Sequence, residues 1–322
     1  MKNKNRNKKG NELKERGIGT STLIIVGVVA IVAIAGLFAL SLGPTKTLKI
    51  SGSTTVRPLA KVWRDHYIQE NSDMRITITG GGSGKGISDA QTGLADIGMS
   101  SSGSLIEGES GLVGHVVAYD GIIIIVNKNN PAVDNLKKVG ISKSTLQKIY
   151  RDKITNWNNI PGVNINHQLN SYTRSDESGT AEAFANFLEM DQSELKGPGQ
   201  KGNPGIKVGV ESNQWALGFV GSAYAFEGSI EEIPVDGNND NTLENYERVE
   251  NYGHLKSHIE NYPIKRGLYF VTKGTPSEAA EQFIDWCKTE GQQYVGSVRY
   301  IPIPGGKEQT NSLTIGENNP EK

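Results

Sequence analysis

The sequence predicts an α/β protein, preceded by one transmembrane helix, in which short Gly- and Ser-rich turns join strands to helices. The strand predicted at 48–51 leads through the turn 52–58 into a helical pattern, and the strand predicted at 75–79 leads through the turn 80–86 into another. The apolar run 116–126 predicts a strand covered on both faces, as in a parallel or mixed sheet. Open α/β sheets bind ligands where such strands end, so the turns are candidate binding elements.

Charge is unevenly distributed along the chain. The 322 residues include 34 Lys and Arg against 35 Asp and Glu, for a net charge of −1. Residues 1–22 carry seven basic and two acidic side chains, a net of +5, which leaves −6 for the rest. An acidic body argues against nucleic acid as a partner. It does not exclude a small anion, because local dipoles decide how such an ion is bound.

A membrane anchor is predicted near the N-terminus. Residues 23–42 contain no charged side chain and are long enough to span a bilayer as a helix. The basic segment 1–22 precedes them, which predicts a cytoplasmic N-terminus and a single-pass anchor in the cell membrane with an extracytoplasmic body. A cleavable secretory signal is the rival interpretation, although the run is long for one. Residues 14–21 resemble the signal of archaeal pilins and archaellins, which retain the apolar helix.

The cysteine and histidine content gives no sign of catalysis, a metal or a cofactor. Cys287 is the single cysteine, so no intrachain disulfide forms, and its position in a predicted helix indicates a core residue. None of the five histidines lies in a recognisable base motif. His254 and His258 share a helical face, but two ligands without a third are weak grounds for a metal site, and a solvated helix face is the default.

The strongest site signal is the stretch 171–180. Apolar residues at helical spacing follow it, which predicts a helix beginning near Ser178 to Thr180, both good N-cap residues. A helix N-terminus presents free N–H groups and a partial positive charge, and Gly179 lets a ligand approach the backbone. Arg174 adds a planar fork of donors. This pattern is typical of an oxyanion cradle; the alternative is a capped helix with a surface arginine.

The turn GGGSGKG at 80–86 raises three other hypotheses. A phosphate-binding P-loop fails, because Gly rather than Ser or Thr follows Lys85. A dinucleotide fingerprint lacks an acidic residue at the end of a clear following strand. A hydrolase nucleophile elbow requires glycines two residues either side of Ser83, and Lys85 does not fit. Among the other classes of protein, an enzyme with Ser83 or Ser178 as nucleophile is the chief rival. A scaffold or adhesion protein is a third class, but it has no need of the Arg and hydroxyl groups.

Six motifs follow one another along the chain. In order they are GSTTVRP at 52–58, GGGSGKGI at 80–87, ADIGMSS at 95–101, DGI at 120–122 with VNKNNP at 126–131, KITNW at 153–157, and Arg174 with SGT at 178–180. This ordered set resembles the phosphate-binding subunit of the phosphate ABC importer over about 48–303. The resemblance implies a two-lobed periplasmic-binding-protein fold of type II, each lobe a mixed sheet flanked by helices, with phosphate clamped between them.

The resemblance also implies where the lobes begin and end. The chain is expected to cross between them twice, near Gly121 and near Pro263. The expected boundaries are 46–120 and 264–306 for lobe I, 121–263 for lobe II and 307–322 for a polar tail. The expected function is capture of inorganic phosphate outside the membrane and delivery to permease subunits of an ABC importer. Binding of another oxyanion such as sulfate or molybdate, or surface phosphoester hydrolysis, are the alternatives.

Carried over by motif, the resemblance implies a phosphate shell formed by three turns. Val56 and Arg57 are expected to act through their backbone N–H groups. Replacing Arg174 by alanine is expected to weaken phosphate binding with little change in stability. The implied shell consists of Ser53, Thr54, Thr55, Val56, Arg57, Ser83, Gly84, Ser100, Ser101, Asp120, Arg174, Ser178, Gly179 and Thr180.

One position departs from the family pattern. In part of the family an aspartate stands where this chain has Ser101, and it accepts the proton of hydrogen phosphate. A hydroxyl accepts hydrogen bonds but also donates them, so rejection of sulfate on the basis of that proton is open here. Asp120, which with Gly121 is expected to break the strand 116–126, is the nearest replacement acceptor. Its alternative role is that of a turn residue.

Overall fold

Strands and helices alternate along the described residues, 46–107 and 109–305, of the protein in a computed structural model. The strands are β1 (Lys46–Gly52), β2 (Met74–Gly80), β3 (Ile97–Ser100), β4 (Leu112–Asn127), β5 (Ile141–Ser142), β6 (Asn170–Ser171), β7 (Thr173–Arg174), β8 (Gly199–Gln200), β9 (Ala216–Gly221), β10 (Ile230–Ile233), β11 (Val235–Asp236) and β12 (Lys265–Lys273). The helices are α1 (Arg57–Glu70), α2 (Ser83–Thr92), α3 (Ser104–Glu107), α4 (Val133–Val139), α5 (Lys143–Tyr150), α6 (Gly179–Phe187), α7 (Gly202–Ser212), α8 (Tyr252–His258) and α9 (Glu278–Lys288).

No helix among these residues is long and apolar enough to span a membrane. The anchor predicted at 23–42, the basic segment 1–22 and the tail 307–322 lie outside the described residues. The described residues 46–107 and 109–305 fall within one compact unit.

The main sheet has the strand order β2-β1-β3-β12-β4-β9-β6, with β10 paired to β4. β1 is parallel to β2 and β3, whereas β12 is antiparallel to β3 and β4, so the predicted mixed α/β class is confirmed. The sixteen-residue β4 joins the two halves of this sheet, because 112–121 pair with β12 and 122–127 pair with β9 or β10.

The predicted break in this strand is wrong. Asp120 and Gly121 continue the ladder and pair with Arg266 and Lys265 of β12. Gly121 meets the requirement for a small residue here, since a Cβ at that position lies about 3.0 Å from a methyl group of Leu255. The strand therefore runs through the point where the sequence suggested a turn.

The two largest apolar clusters of the described residues form the core on either side of this point. One contains buried residues between 48 and 118 together with residues between 268 and 300, and Trp63 packs edge-on against Phe270 there. The other consists of buried residues between 122 and 264 with Ile301. These clusters divide the chain near the expected crossings at Gly121 and Pro263, while the lobe boundaries themselves stay a prediction.

Both predicted strand–turn–helix units are present. β1 leads into α1 and β2 leads into α2, although α2 begins at Ser83, four residues before the expected start at Ile87. The Gly- and Pro-rich composition of 196–204 predicts a loop, yet α7 begins within this stretch at Gly202. Pro204 in fact lies in the first turn of α7, where its missing N–H has no cost.

Cys287 lies in α9 and is fully buried, as predicted. Burial raises the pKa of its thiol well above the ordinary value, which disfavours the reactive thiolate.

Candidate functional site

Four helix N-termini meet in one region of the protein. The Thr55 hydroxyl, just before α1, lies 2.8 Å from the Thr180 hydroxyl in α6 and accepts a hydrogen bond of 2.8 Å from Asn203 in α7. Ser83, the first residue of α2, accepts a hydrogen bond of 3.1 Å from the Ser101 backbone N–H. Each helix N-terminus carries a partial positive charge, so their convergence favours an anion.

A cluster of three buried hydroxyls forms one wall of this region. Ser53 Oγ donates to Ser101 Oγ over 3.1 Å, and Ser83 Oγ lies 3.4 Å from the same atom. The first turn of α6 packs directly against them. A Cβ at Gly179 would lie only 2.5 Å from Ser83 Oγ and 2.8 Å from Ser101 Oγ, so this approach requires glycine. The hydroxyls and the start of α6 thus face each other at contact distance.

The start of α6 is where the sequence predicts it. Ser178 is the N-cap, and its Oγ accepts from the backbone N–H groups of Thr180 and Ala181 at 3.2 and 3.1 Å. Among the described residues, no hydrogen bond of Ser83 or Ser178 has a histidine as partner. A histidine general base bonded to either serine is therefore missing from this part of the chain.

Arg174 and Asp176 form a buried bidentate ion pair beside the hydroxyls. Arg174 Nε and Nη2 donate to the two Asp176 oxygens over 2.8 and 2.6 Å, and Nη2 also donates to Thr54 Oγ1 over 3.2 Å. The two side chains are 1% and 7% exposed. Arg174 Nη1 is buried and has no hydrogen-bond partner among the residues that the structure describes. Buried donors are almost always paired, so this nitrogen is suited to an acceptor supplied by a ligand.

Asp176 fixes the orientation of that guanidinium. Burial alone raises the pKa of this carboxyl, but hydrogen bonds and charge from Arg174 outweigh burial, and the net pKa is lowered. Asp176 Oδ1 also accepts from the backbone N–H of Gly202 over 3.0 Å, which ties the pair to the start of α7. The ionised pair leaves little net charge, so directed donors rather than excess positive charge distinguish this site.

Two cavities flank the ion pair. Asp176 lines both of them, one of about 590 Å³ that also contacts Arg174 and one of about 340 Å³ that also contacts Thr54 and Arg57. Solvent space therefore reaches the carboxylate, whereas Ser53, Ser83 and Ser101 are buried.

Asn203 belongs to the site although sequence reasoning missed it. Its side chain is fully buried, its Nδ2 donates to Thr55, and its Oδ1 accepts from the Gly221 backbone N–H over 3.2 Å. The signal in the sequence was Pro204 one position later, since proline is favoured in a first helical turn.

Arg266 is a second missed residue. Its Nε and Nη2 donate to Asp120 Oδ2 over 3.0 and 2.6 Å, and its Nη1 donates to the carbonyls of Ser101 and Gly179. Asp120 Oδ1 in turn accepts from the backbone N–H and hydroxyl of Ser222 over 2.9 and 2.7 Å. All acceptor positions of Asp120 are therefore occupied by protein donors. This geometry does not support the predicted role of Asp120 as acceptor of a phosphate proton.

Several other predicted site residues have contacts of their own. Val56 N–H donates to Ser53 Oγ over 3.4 Å, and Arg57 N–H donates to the Ser53 carbonyl over 3.1 Å, so both expected backbone donors have protein acceptors. Gly84 N–H donates to the Glu177 carbonyl over 3.1 Å. Ser100 Oγ donates locally to the carbonyl of Ser102 over 2.8 Å rather than joining the cluster. The predicted residues that the structure brings together are Ser53, Thr54, Thr55, Ser83, Ser101, Arg174, Ser178, Gly179 and Thr180.

Comparison with known proteins places this geometry in a family. A family model described as a PBP superfamily domain matches residues 41–290. The phosphate-binding protein PstS of Bacillus subtilis (strain 168) is 28% identical over 269 residues, which cover 80% of this chain and 81% of that protein.

Two solved structures are similar in fold. A putative phosphate ABC transporter substrate-binding protein with bound phosphate, from Clostridium perfringens, has a TM-score of 0.68 and 30% identity, and covers 80% of this chain and 100% of its own. An ABC-type phosphate transport receptor from Vibrio cholerae has a TM-score of 0.59 and 25% identity, with the same coverage of both chains. From its sequence match and its fold, the chain belongs to the PBP superfamily.

Proposed function

We propose that this protein binds inorganic phosphate outside the cell and delivers it to the permease subunits of an ABC importer. One observation carries the proposal: the buried Nη1 of Arg174 lacks a partner, although Asp176 and Thr54 hold the other guanidinium nitrogens. Relatives named as phosphate-binding proteins support phosphate as the ligand.

The chemistry of the site suits a tetrahedral oxyanion. Helix N-termini and hydroxyls from Ser83, Ser101 and Thr180 surround the region, and charge-assisted hydrogen bonds from Arg174 replace the water that the anion loses. A hydroxyl accepts as well as donates, so these side chains accommodate a protonated phosphate oxygen without an aspartate at position 101. The protein acts by binding and release, and ATP hydrolysis belongs to a partner.

Titration calorimetry of the full chain, purified in detergent, tests the ligand. Phosphate is expected to bind more tightly than sulfate, molybdate or arsenate. Tighter binding of sulfate or molybdate instead assigns the protein to another oxyanion, and the absence of binding by all four rejects the proposal. Hydrolysis of a phosphoester that is lost in Ser178→Ala identifies the enzyme alternative.

Binding is proposed to close two lobes around the anion. Contacts that join the two halves of the chain support this: Thr55 with Thr180, Arg174 with Thr54, and Gly84 with Glu177. A ligand bound between lobes favours the closed arrangement only as far as its affinity differs between the two states. Small-angle scattering should show a smaller radius of gyration with phosphate, and an unchanged radius counts against a clamp that opens.

The proposed location is the outer face of the cell membrane, with residues 23–42 as a single-pass, archaeal-type anchor. The support is the uncharged run itself and the basic flank before it. Protease added to intact cells should digest the body, and a protected body refutes this topology. Mass spectrometry should find a mature N-terminus at Ile18 if the pilin-like signal is processed, and an intact Met1 excludes that processing.

A further inference from the structure

The Asp- and Asn-rich stretch DGNNDNTLENYE, residues 236–247 and here called the acidic loop, has no role in the proposed phosphate site. Asp236, Asn238 and Asp240 occupy its first, third and fifth positions, and Glu247 occupies its twelfth. Calcium loops of twelve residues place oxygen ligands at these same positions. The sixth position, usually glycine for a sharp turn, is Asn241, which has the left-handed φ of 63° that asparagine tolerates.

Backbone hydrogen bonds turn the acidic side chains toward the inside of the loop. In each case a side-chain oxygen accepts from a backbone N–H further along the same loop. These bonds run from Asn241 to Asp236 Oδ2 over 3.1 Å, from Asp240 to Asn238 Oδ1 over 3.0 Å, and from Thr242 to Asp240 Oδ1 over 2.8 Å. Asn238 Nδ2 also donates to Asp240 Oδ2 over 3.0 Å, so the three oxygen-bearing side chains all fold back on the turn 236–242.

Glu247 reaches back across the loop to the same interior. Its Oε1 accepts from the Gly237 N–H over 2.7 Å and its Oε2 accepts from the Glu244 N–H over 3.2 Å. Leu243, at the eighth position, anchors the loop on Gly140, where a Cβ would lie 2.7 Å from a Leu243 methyl group.

An independent observation indicates that the loop takes a ligand. Asp236 is 2% exposed, and its Oδ1 is buried without a hydrogen-bond partner in the ranges 46–107 and 109–305. The other oxygen of this carboxylate accepts from the Asn241 N–H, so the unpartnered Oδ1 lies next to the turn 236–241. Within the described part of the chain, no salt bridge to Lys or Arg compensates Asp236, Asp240 or Glu247. A buried carboxylate oxygen without a partner is costly, and a cation removes that cost.

We propose that the acidic loop binds Ca²⁺ through side-chain oxygens of Asp236, Asn238, Asp240 and Glu247 and the backbone carbonyl of Thr242. Ca²⁺ accepts six to eight oxygens in flexible geometry, whereas Mg²⁺ requires a near-ideal octahedron and is not expected to match this loop. No three His, Cys, Asp or Glu side chains in the described ranges form a metal site as they stand. Binding therefore draws Glu247 toward Asp236, and each oxygen keeps a lone pair for the ion.

Calcium titration of the full chain in chelator-treated buffer tests the proposal. We expect saturable heat on adding Ca²⁺ and a rise in melting temperature, because a ligand of the folded state stabilises it by mass action. Tb³⁺, which replaces Ca²⁺ as a probe, should show luminescence sensitised by Tyr246 in the loop. Asp240→Asn should weaken Ca²⁺ binding at least tenfold, whereas Glu250→Gln, which removes a nearby charge outside the loop, should not.

Other results overturn the proposal. A concentration on the order of 10 mM Ca²⁺ exceeds the dissociation constants of weak extracellular calcium modules. If no saturable binding is seen up to that concentration, the proposal is rejected. If Mg²⁺ raises the melting temperature as much as Ca²⁺ does, the ions act by nonspecific charge screening. The same conclusion follows if Glu250→Gln and Asp240→Asn lose equal Ca²⁺ affinity. Asp240 is exposed, so its variant remains informative even where a change at buried Glu247 prevents folding. Phosphate affinity should be unchanged in Asp240→Asn, which separates this test from that of the phosphate site.

Discussion

The two buried Arg–Asp pairs of this protein have the same chemistry and different roles. Arg174–Asp176 and Arg266–Asp120 each close over 2.6 Å, with side chains that are 1% and 7% exposed in the first pair and 5% and 0% in the second. Arg174 keeps one nitrogen without a partner, whereas every guanidinium nitrogen of Arg266 donates to the protein. An unused donor therefore distinguishes the pair suited to a ligand from the pair that only holds the fold.

The pairs also differ in what they connect. Arg174 and Asp176 are two residues apart and lie beside cavities, whereas Arg266 and Asp120 are 146 residues apart and lie across the β4–β12 ladder. Loss of one partner from an enclosed pair leaves an uncompensated charge, which costs more than the intact pair contributes. We therefore expect the second pair to control stability and the first to control affinity.

The largest expected effect is loss of stability in Arg266→Ala. The variant leaves Asp120 buried without its cation, and we expect the free energy of unfolding to fall by about 3–5 kcal/mol. Urea unfolding followed by circular dichroism measures this change. The double variant Arg266→Ala with Asp120→Ala should recover part of the loss, because no charge is stranded. A loss below about 1 kcal/mol contradicts the structural role.

The next largest effect is on ligand affinity in Arg174→Ala. A charge-assisted hydrogen bond contributes roughly 1.5–3 kcal/mol, so phosphate affinity should fall at least tenfold, by calorimetry. Arg174→Lys should recover only part, since an ammonium lacks the planar fork. The change also breaks the buried ion pair with Asp176, so we expect a loss in stability on the order of 1–3 kcal/mol where the sequence predicted little change. If Arg174→Ala binds phosphate with an affinity close to that of the wild type, the Arg174–Asp176 pair has no special role in ligand binding.

A smaller effect concerns the pH dependence of the first pair. The lowered pKa of Asp176 means that the folded state favours the ionised carboxylate. Its contribution to stability is complete above the ordinary Asp pKa of about 3.9 and is lost as pH falls through the lower folded-state value. Asp176→Asn should therefore be less stable than the wild type at neutral pH, with the gap narrowing in acid. Urea unfolding at several pH values tests this, and a gap that widens in acid contradicts it.

The smallest expected effect is that of Thr180→Ala. The change removes a hydroxyl that lies 2.8 Å from Thr55 Oγ1 but keeps the backbone N–H at the start of α6. Phosphate affinity should fall by less than in Arg174→Ala, because a neutral hydrogen bond contributes roughly 0.5–1.5 kcal/mol. Thr180→Ser, which retains the hydroxyl, is the matched control. A loss as large as that of Arg174→Ala shows that the hydroxyls, and not the guanidinium, dominate binding.

The sequence by itself determined features whose physical signals are local. The capping of α6 by Ser178 and the placement of Arg174 just before it follow from residues within a few positions of one another. The strand–turn–helix order of the first two units was predicted correctly for the same reason, since periodicity and turn residues act over short stretches.

Only the tertiary structure decided which distant residues complete the site. Arg266 meets Asp120 because β12 pairs with β4 in one register, and Asn203 reaches Thr55 across 148 positions because α7 begins beside α1. Nothing local in the sequence specifies these meetings. They depend on sheet order and on the close packing of helix N-termini. The same packing leaves Arg174 Nη1 without an acceptor among the described residues, whereas every guanidinium nitrogen of Arg266 donates to the protein.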